Sequence, residues 1–308
     1  MLLKRKSLMV MLGLAFVALL AACGGGDADE PATGEATDTE TSNVGEEVDY
    51  TIVGIEPGAG MMALTEDTLE EYDNLEGWEL LEGSTAGMLV ELDGAIQNEE
   101  PIVVTGWGPH WMFVTHDLKY LEDPKGTFGE PESIHTITRE GLEEDMPEAY
   151  EILDNFHWDL EDMEGVMHEA EEGSSFEEAA QNWIDDNRDK VDEWTDGVEK
   201  VDGESIELVT TQWDSEYASS EMMRIVLEDH GFEVTVTPVD PAIVFQAVSS
   251  GEGDASLAPW LPITHGHFYE DYEEEIVDLG ANLDGAQVGL AVPSYMDIDS
   301  IEDLEPKE

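Results

Sequence analysis

The fold is decided by residues 206–262, which read IELVTTQWDSEYASSEMMRIVLEDHGFEVTVTPVDPAIVFQAVSSGEGDASLAPWLP. Apolar runs bounded by turn residues alternate here with stretches of helical periodicity. The pattern predicts strands at 206–212, 233–238 and 254–258 and helices at 220–230 and 242–250. Strands that alternate with helices are typical of a parallel sheet covered by helices. The segment ends on Trp260-Leu-Pro262, just past its last predicted strand.

Residues 50–109 repeat this order of features, which indicates an internal repeat. The pattern predicts strands at 50–55 and 101–105 and helices at 61–72 and 85–97, and it ends on Trp107-Gly-Pro109. Two such units predict an α/β protein with two Rossmann-like lobes and a ligand cleft between them.

The rest of the body connects the two units. Residues 139–198 are predicted to be mostly helical, and Ser175 and Glu178 have the spacing of a capping box. A strand is expected at 287–293 and a short helix at 300–304. We expect the chain to cross between lobes near 135–138 and in this late strand. Lobe one is therefore expected to comprise 48–132 plus 290–308, and lobe two 133–289.

The charge of the chain limits its partners. Its 308 residues include 75 Asp and Glu against 11 Lys and Arg, for a formal net charge of −64. Because a phosphate-binding surface needs clustered Lys and Arg, this excludes a nucleic-acid binder. Hydrophobic residues make up 41% of the chain, so the acidity does not indicate disorder. Since salt screens repulsion among carboxylates, we hypothesise a salt-adapted protein.

Residues 1–22 are predicted to be a lipoprotein signal peptide. Three basic residues at 4–6 precede an apolar run at 8–20 that is too short to span a bilayer comfortably. Leu20-Ala-Ala-Cys23 resembles the bacterial lipobox, which implies that Cys23 is acylated and begins the mature protein. Cys23 is the only cysteine, so no intramolecular disulfide can form. Residues 23–47 predict an acidic, disordered tether that holds the body at the outer face of the cell membrane.

Three tryptophans follow predicted strands in the two units: Trp107, Trp213 and Trp260. Ligands of α/β sheets bind beyond the carboxyl ends of strands, so we expect these three side chains, here called the cage, to line the cleft. Aromatic faces attract a quaternary ammonium group, which has no N–H to donate. Carboxylates would be a poorer choice for this contact, because a buried and half-paired charge is costly.

The turn Gly54-Ile-Glu-Pro-Gly-Ala-Gly60 supplies a second kind of site. It leads from a predicted strand into a helix that begins near Met61, so free backbone N–H groups and the positive end of the helix dipole face the cleft. A carboxylate fits such a position. A cation site that faces an anion site predicts a zwitterion such as a betaine.

These residues together resemble the OpuAC-type glycine betaine-binding lipoproteins of ABC importers. The resemblance covers about 49–304 and rests on seven segments in the order of that family: Ile55-Glu-Pro-Gly-Ala-Gly60, Pro101-Ile-Val-Val-Thr-Gly-Trp-Gly-Pro-His-Trp111, Asp117-Leu-Lys-Tyr-Leu-Glu-Asp-Pro124, Ile134-His-Thr-Ile-Thr-Arg139, Trp213-Asp-Ser-Glu216, Trp260-Leu-Pro-Ile-Thr-His265 and Tyr295-Met-Asp-Ile-Asp-Ser-Ile-Glu-Asp-Leu304.

The resemblance implies a type II periplasmic-binding-protein fold that closes on glycine betaine or proline betaine and delivers it to a membrane permease driven by an ATPase. It implies that the cage holds the quaternary ammonium group. The backbone amides of Gly60 and Met61 would hold the carboxylate, with His265 as a further contact. Gly108 stands where the family commonly has Thr, which leaves the relative preference among betaines open.

Two other classes of function stay open. His265-x-His267 on an extended segment would place both rings on one side, as a zinc-type metal-binding lipoprotein requires. A hydrolase is the more remote alternative, because G-x-S-x-G and H-E-x-x-H are absent from the sequence. The segment 83–87 places Thr where a nucleophilic Ser would stand. We therefore expect no enzyme activity, no cofactor, no bound metal and a monomeric protein.

Overall fold

A computed structural model of the protein describes residues 43–307. The helices are α1 (Val44–Glu47), α2 (Gly60–Glu71), α3 (Thr85–Asn98), α4 (Trp111–Thr115), α5 (Leu142–Asp145), α6 (Pro147–Asn155), α7 (Leu160–Glu171), α8 (Phe176–Asp186), α9 (Arg188–Trp194), α10 (Asp214–Asp229), α11 (Pro241–Ser250) and α12 (Gly266–Glu270). Short 3₁₀ helices lie at Asp73–Leu75 and Ile301–Asp303.

The strands are β1 (Thr51–Val53), β2 (Glu79–Leu81), β3 (Val104–Gly108), β4 (Leu118–Tyr120), β5 (Glu132–Arg139), β6 (Ser205–Thr210), β7 (Glu233–Pro238), β8 (Ala255–Ser256), β9 (Trp260–Leu261) and β10 (Ile276–Pro293). They pair in the order β2-β1-β3-β10-β5-β8-β6-β7, with β4 beside β10 and β9 beside β5. The architecture is therefore mixed α/β.

The long strand β10 divides this sheet. Residues 276–286 of β10 pair with β5, whereas residues 287–293 pair with β3 and β4. We call β1–β4 with the later part of β10 the first half of the sheet, and β5–β9 with the earlier part the second half. The lobe boundaries expected from the sequence stay a prediction.

The outer strands of the sheet pair in parallel within each of the two repeated units, as the sequence predicts. β1 runs parallel to β2 and β3, and β6 runs parallel to β7 and β8. The central strands differ from the expected parallel arrangement, because β10 runs antiparallel to β3, β4 and β5. Each half is thus a parallel α/β unit joined to its neighbour through antiparallel pairs.

Several predicted elements are confirmed and others shift. The strand at 233–238, the helices α2, α3 and α11 and the capping box of Ser175 and Glu178 are confirmed. The strand expected at 101–105 is wrong in its bounds: β3 starts at Val104 and includes Trp107, which pairs with Val288 of β10. Trp260 likewise lies in β9 and pairs with Ile134 of β5.

Helix α10 begins six residues earlier than the sequence predicts, directly after Trp213. Serine is a weak helix former because its hydroxyl competes for backbone groups. Here the hydroxyls have partners: Ser219 donates to carbonyl oxygens of its own helix, and Ser220 donates to Oγ1 of Thr210 over 2.9 Å. These small buried side chains let α10 pack closely against β6 from its first turn.

The five tryptophans outside the cage pack in the interior. Trp78, Trp111, Trp158 and Trp194 are buried, and Trp183 stacks on Trp194 with ring centroids 5.8 Å apart. Within residues 43–307 no helix combines the length and the apolar composition that crossing a membrane requires.

Candidate ligand-binding site

One cavity lies between the two halves of the sheet, beyond the carboxyl ends of β1 and β6. All the residues that were predicted to bind a ligand line it: Trp107, Trp213, Trp260, Gly60, Met61 and His265. The space among the lining side chains, including its open mouth, amounts to about 320 Å³. The structure therefore brings the cage and the predicted carboxylate-binding residues together around one cavity.

The cage residues come from three different elements. Trp107 lies on β3 and Trp260 on β9, and these side chains are buried, at 4% and 3% exposure. Trp213 precedes the first turn of α10 and is half-buried. The ring of Trp213 is nearly parallel to that of His265, at 11° and with centroids 6.4 Å apart. Three aromatic walls thus surround the cavity.

Two of the three cage rings donate their indole N–H to a carboxylate. Nε1 of Trp260 donates to Oε1 of Glu216 over 2.9 Å, and Nε1 of Trp213 donates to Oε2 of Glu56 over 3.3 Å. The first bond lies within the second half of the sheet. The second bond joins the two halves, because Glu56 belongs to the turn after β1. The sequence reasoning named neither carboxylate as a site residue.

The two carboxylates have different environments. Burial raises the pKa of Glu216 to about 7, although hydrogen bonds from Ser215 and Trp260 favour its charged form. Burial alone would also raise the pKa of Glu56, but hydrogen bonds from Thr85 and Trp213 lower it below its usual value. Glu56 is therefore ionised at neutral pH, while Glu216 is close to its midpoint.

The first turn of α2 forms the polar end of the cavity. No side chain caps this helix, and in the described part of the chain the backbone N–H groups of Gly60 and Met61 donate to no protein acceptor. Both residues are buried. Free N–H groups at the positive end of a 12-residue helix suit a carboxylate or another anion.

Gly60 also makes the close approach of the two halves possible. A Cβ added at this position would overlap the carbonyl oxygen of Thr264, which belongs to the second half. Only glycine fits such a contact without displacing backbone.

The ring of His265 has a defined proton position. The backbone N–H of Trp260 donates to Nδ1 of His265 over 3.0 Å, so Nδ1 accepts and the proton of the neutral ring lies on Nε2. Burial, with a smaller contribution from His267, lowers the pKa of His265 to about 3. A neutral imidazole with one N–H donor is suited to a carboxylate oxygen.

Glu132 fixes the loop that carries His265. This buried carboxylate, at the start of β5, accepts from the backbone N–H of Ile263 over 2.8 Å and from that of Thr264 over 3.1 Å, and it also accepts from the Thr264 hydroxyl. A carboxylate that accepts several backbone N–H groups is well stabilised when buried. Sequence reasoning missed this contact, which joins residues far apart in the chain.

The expected geometry for a zinc site is wrong. His265 and His267 do not lie on an extended segment, because helix α12 begins at Gly266, between them. The ring of His267 packs on Phe268 with centroids 3.8 Å apart, and Nδ1 of His265 is occupied by Trp260. Among residues 43–307 no group of three or more His, Cys, Asp or Glu side chains is placed to hold a metal ion.

A further polar cluster joins the halves beside the cage. Nε1 of Trp111 donates to Oδ2 of Asp214 over 2.8 Å, and Nε2 of His110 lies 3.7 Å from the same oxygen. Burial lowers the pKa of His110 to about 3 and raises that of Asp214, so His110 is neutral beside this carboxyl group. Cys23, the predicted lipidation site, lies outside the described residues.

The chain matches a profile of the OpuAC family, described as the substrate binding domain of an ABC-type glycine betaine transport system, over residues 30–186 and 204–308. It is 47% identical over 288 residues to the glycine betaine/carnitine transport binding protein GbuC of Listeria monocytogenes serotype 1/2a (strain 10403S). That alignment covers 93% of each chain.

Two solved structures are similar in part. Lactococcal OpuAC in its closed-liganded conformation with glycine betaine is 48% identical, with a TM-score of 0.45 and coverage of 49% of this chain and 59% of that chain. The glycine betaine, L-proline-binding protein ProX of Borrelia burgdorferi is 34% identical, with a TM-score of 0.46 and coverage of 49% and 57%. The chain thus spans less than two thirds of the length of these two solved chains.

Proposed function

Because the chain belongs to the OpuAC family of substrate-binding domains of ABC-type glycine betaine transport systems, we propose that it captures glycine betaine, and with it proline betaine, in the cavity between the two halves of the sheet. Substrate-binding proteins of this family work outside the cytoplasm with an ABC permease and its ATPase. The observation that supports the proposed site is the convergence of the cage, the first turn of α2 and His265 on one cavity.

The cage suits the trimethylammonium end of the ligand. Each cation–π contact contributes about 0.5 to 2 kcal/mol, and more where water is excluded. A micromolar dissociation constant corresponds to about −8 kcal/mol, so three rings alone do not supply the whole affinity. Burial of the methyl groups and the polar end of the cavity have to contribute the remainder.

The polar end suits the carboxylate. In this proposal, the N–H groups of Gly60 and Met61 and the Nε2 proton of His265 donate to its two oxygens. None of these donors carries a formal charge. The ligand carboxylate therefore does not have to displace a carboxylate of the protein that is paired with them. The arrangement favours a zwitterion whose quaternary nitrogen and carboxylate are attached to the same carbon over choline, which has no carboxylate.

Isothermal titration with a small panel tests this proposal. The purified protein should bind glycine betaine and proline betaine with heats that saturate at one ligand per chain, and should give no saturable heat with glycine or Zn²⁺. Saturable zinc binding without betaine binding would favour the metal-binding alternative. Equal binding of glycine and glycine betaine would mean that the site does not read the methyl groups.

We propose that the ligand is released unchanged, without catalysis. NMR spectra of glycine betaine should be identical before and after long incubation with the protein. The appearance of demethylated or cleaved products would contradict this part of the proposal and would reopen the enzymatic alternative.

We further propose that residue Cys23 anchors the protein to the membrane through a lipid and that the body acts as a monomer. Expression in a bacterial host should give a membrane-bound form that incorporates labelled palmitate, and Cys23→Ser should abolish the label. A membrane-bound form that keeps the label in Cys23→Ser would contradict the assignment. Sedimentation of the released body should give the mass of one chain.

We also propose boundaries for the two lobes. Lobe one would comprise 48–132 plus 290–308, and lobe two 133–289. The change of pairing partner between residues 286 and 287 of β10 supports a crossing close to this position. Hydrogen exchange should then slow on ligand binding in the turn after β1 and in the loop after β9, which face each other across the cavity.

A further inference from the structure

The carboxylate of Glu216 is buried beside the cage without a cationic partner. Its side chain is 2% exposed and accepts from Nε1 of Trp260 and from the hydroxyl of Ser215, over 2.9 and 2.7 Å. Among the described residues no Lys, Arg or His lies within ion-pair distance of it. A buried charge is costly unless a counter-charge accompanies it.

A neutral side chain would be enough to hold the ring. The amide oxygen of a glutamine could accept the Trp260 N–H equally well, at a lower cost of burial. The hydrogen bond to Trp260 therefore does not explain why this residue is a carboxylate. The position of Glu216 does explain it, because Glu216 lines the cavity in which a cationic group would lie.

A second cage ring, that of Trp213, also has a carboxylate at its indole N–H. Its indole N–H donates to Glu56, which likewise has no Lys, Arg or His partner among the described residues. Negative charge at the N–H edge of an indole also makes the ring face more attractive to a cation. Two of the three cage rings are thus backed by carboxylates.

We propose that Glu216 is a specificity-determining residue. Its carboxylate accepts a hydrogen bond from Trp260 and provides the counter-charge for the cationic head of the ligand. The cavity then selects a positive charge and not only a trimethyl shape. This inference rests on the proposed function, since it assigns a role within the same site.

Binding should then be coupled to the ionisation of Glu216. A cation held near this carboxylate favours its ionised form, so the ligand lowers the pKa of Glu216, which burial raises to about 7 in the free protein. Below that pH, binding releases a proton and the affinity is reduced. The affinity rises as the pH increases through about 7, and it levels off above this value.

The other charged groups around Glu216 do not reproduce this behaviour. Asp214 of the same helix raises the pKa of Glu216 further through repulsion. In the loop after β9, His265 stays neutral because burial lowers its pKa to about 3. In the turn after β1, hydrogen bonds from Thr85 and Trp213 keep Glu56 ionised. Arg224, on α10, is engaged by carboxylates of α8 and of its own helix: Glu177, Glu221 and Glu228.

The decisive experiment compares two ligands of one shape on Glu216→Gln. The first is glycine betaine, and the second is 3,3-dimethylbutanoate, in which carbon replaces the quaternary nitrogen. The variant keeps an acceptor for Trp260 and loses the charge. The ratio of the two affinities should fall roughly tenfold in Glu216→Gln, as expected for one charge pair at partial burial. An unchanged ratio, with both ligands weakened equally, would overturn the inference in favour of a structural role.

Glu91→Gln provides the matched control. Glu91 lies on α3, is exposed and makes no ion pair among the described residues, so the ratio of affinities should equal that of the unmodified protein. A change in this control equal to that in Glu216→Gln would also overturn the inference, because it would assign the effect to net charge.

A second measurement needs no variant. Titration of the full chain with glycine betaine near pH 6.5, in buffers of different ionisation enthalpy, should show release of a fraction of a proton per ligand, and release should vanish above about pH 8.5. No proton release near pH 6.5 would contradict the coupling. If the unmodified protein bound neither ligand, the proposed function itself would fail. Betaine binding with an unchanged ratio would remove only the role of Glu216.

Discussion

The two halves of the sheet contribute unequally to the cavity. The first half supplies one ring, Trp107, and the first turn of α2, whereas the second half supplies two rings together with His265 and Glu216. Trp260 is buried and bonded to Glu216 within its own half, while the carboxylate that holds Trp213 comes from the other half. This difference indicates that Trp260 is fixed before the halves meet and that Trp213 is fixed only when they do.

The largest effect is expected where the halves touch. Gly60→Ala should weaken betaine binding on the order of a hundredfold, because the added methyl group would overlap the Thr264 carbonyl and hold the halves apart. Gly94→Ala is the control, since an added Cβ there meets nothing within 4 Å and alanine favours the helix. Titration calorimetry measures both. Near-native affinity in Gly60→Ala would show that the close approach is not needed for binding.

The next largest effect separates the two rings of the second half. Trp260→Ala should cost about 1 to 3 kcal/mol of betaine binding, through lost cation–π contact and lost packing. Trp213→Ala should cost less, because its half-buried ring is held from the opposite half. Trp194→Ala, a buried tryptophan remote from the cavity, controls for general destabilisation. If removal of Trp213 cost as much as removal of Trp260, the proposed order of fixation would be unsupported.

A smaller effect is expected at the polar end. His265→Asn keeps an acceptor for the Trp260 N–H but loses the Nε2 donor, and should weaken binding by about 1 kcal/mol. Because burial lowers the pKa of His265 to about 3, the ring stays neutral from pH 5 to 8. The variant should therefore keep the pH dependence of the unmodified protein. A pH profile that lost its slope only in His265→Asn would assign the titration to the imidazole.

The sequence identifies residues that line the cavity, but it describes the sheet less completely. The cage and the Gly-rich turn can be read locally because each follows a strand of an alternating unit. The sequence predicts only residues 287–293 of strand β10. Its earlier part lacks a regular apolar pattern, because Gly280 and Gly285, both at positive φ, lie near shifts of the pairing register. The roles of Glu56 and Glu216 escaped detection for another reason: their indole partners are 157 and 44 residues away in the chain.

The smallest effect on binding should come from salt. The ligand is net neutral and the rings are uncharged, so betaine affinity should change little between dilute buffer and 1 M KCl. The melting temperature should rise over the same range, because salt screens repulsion in a chain of net charge −64. Differential scanning calorimetry tests the second expectation. A melting temperature that stayed constant would remove the case for salt adaptation.

A crystal structure of the glycine betaine complex tests the central claim most directly. The quaternary nitrogen should lie within about 6 Å of the ring centroids of Trp107, Trp213 and Trp260. The carboxylate should accept hydrogen bonds from the N–H groups of Gly60 and Met61. A ligand bound in the reverse orientation, or outside this cavity, would contradict the account.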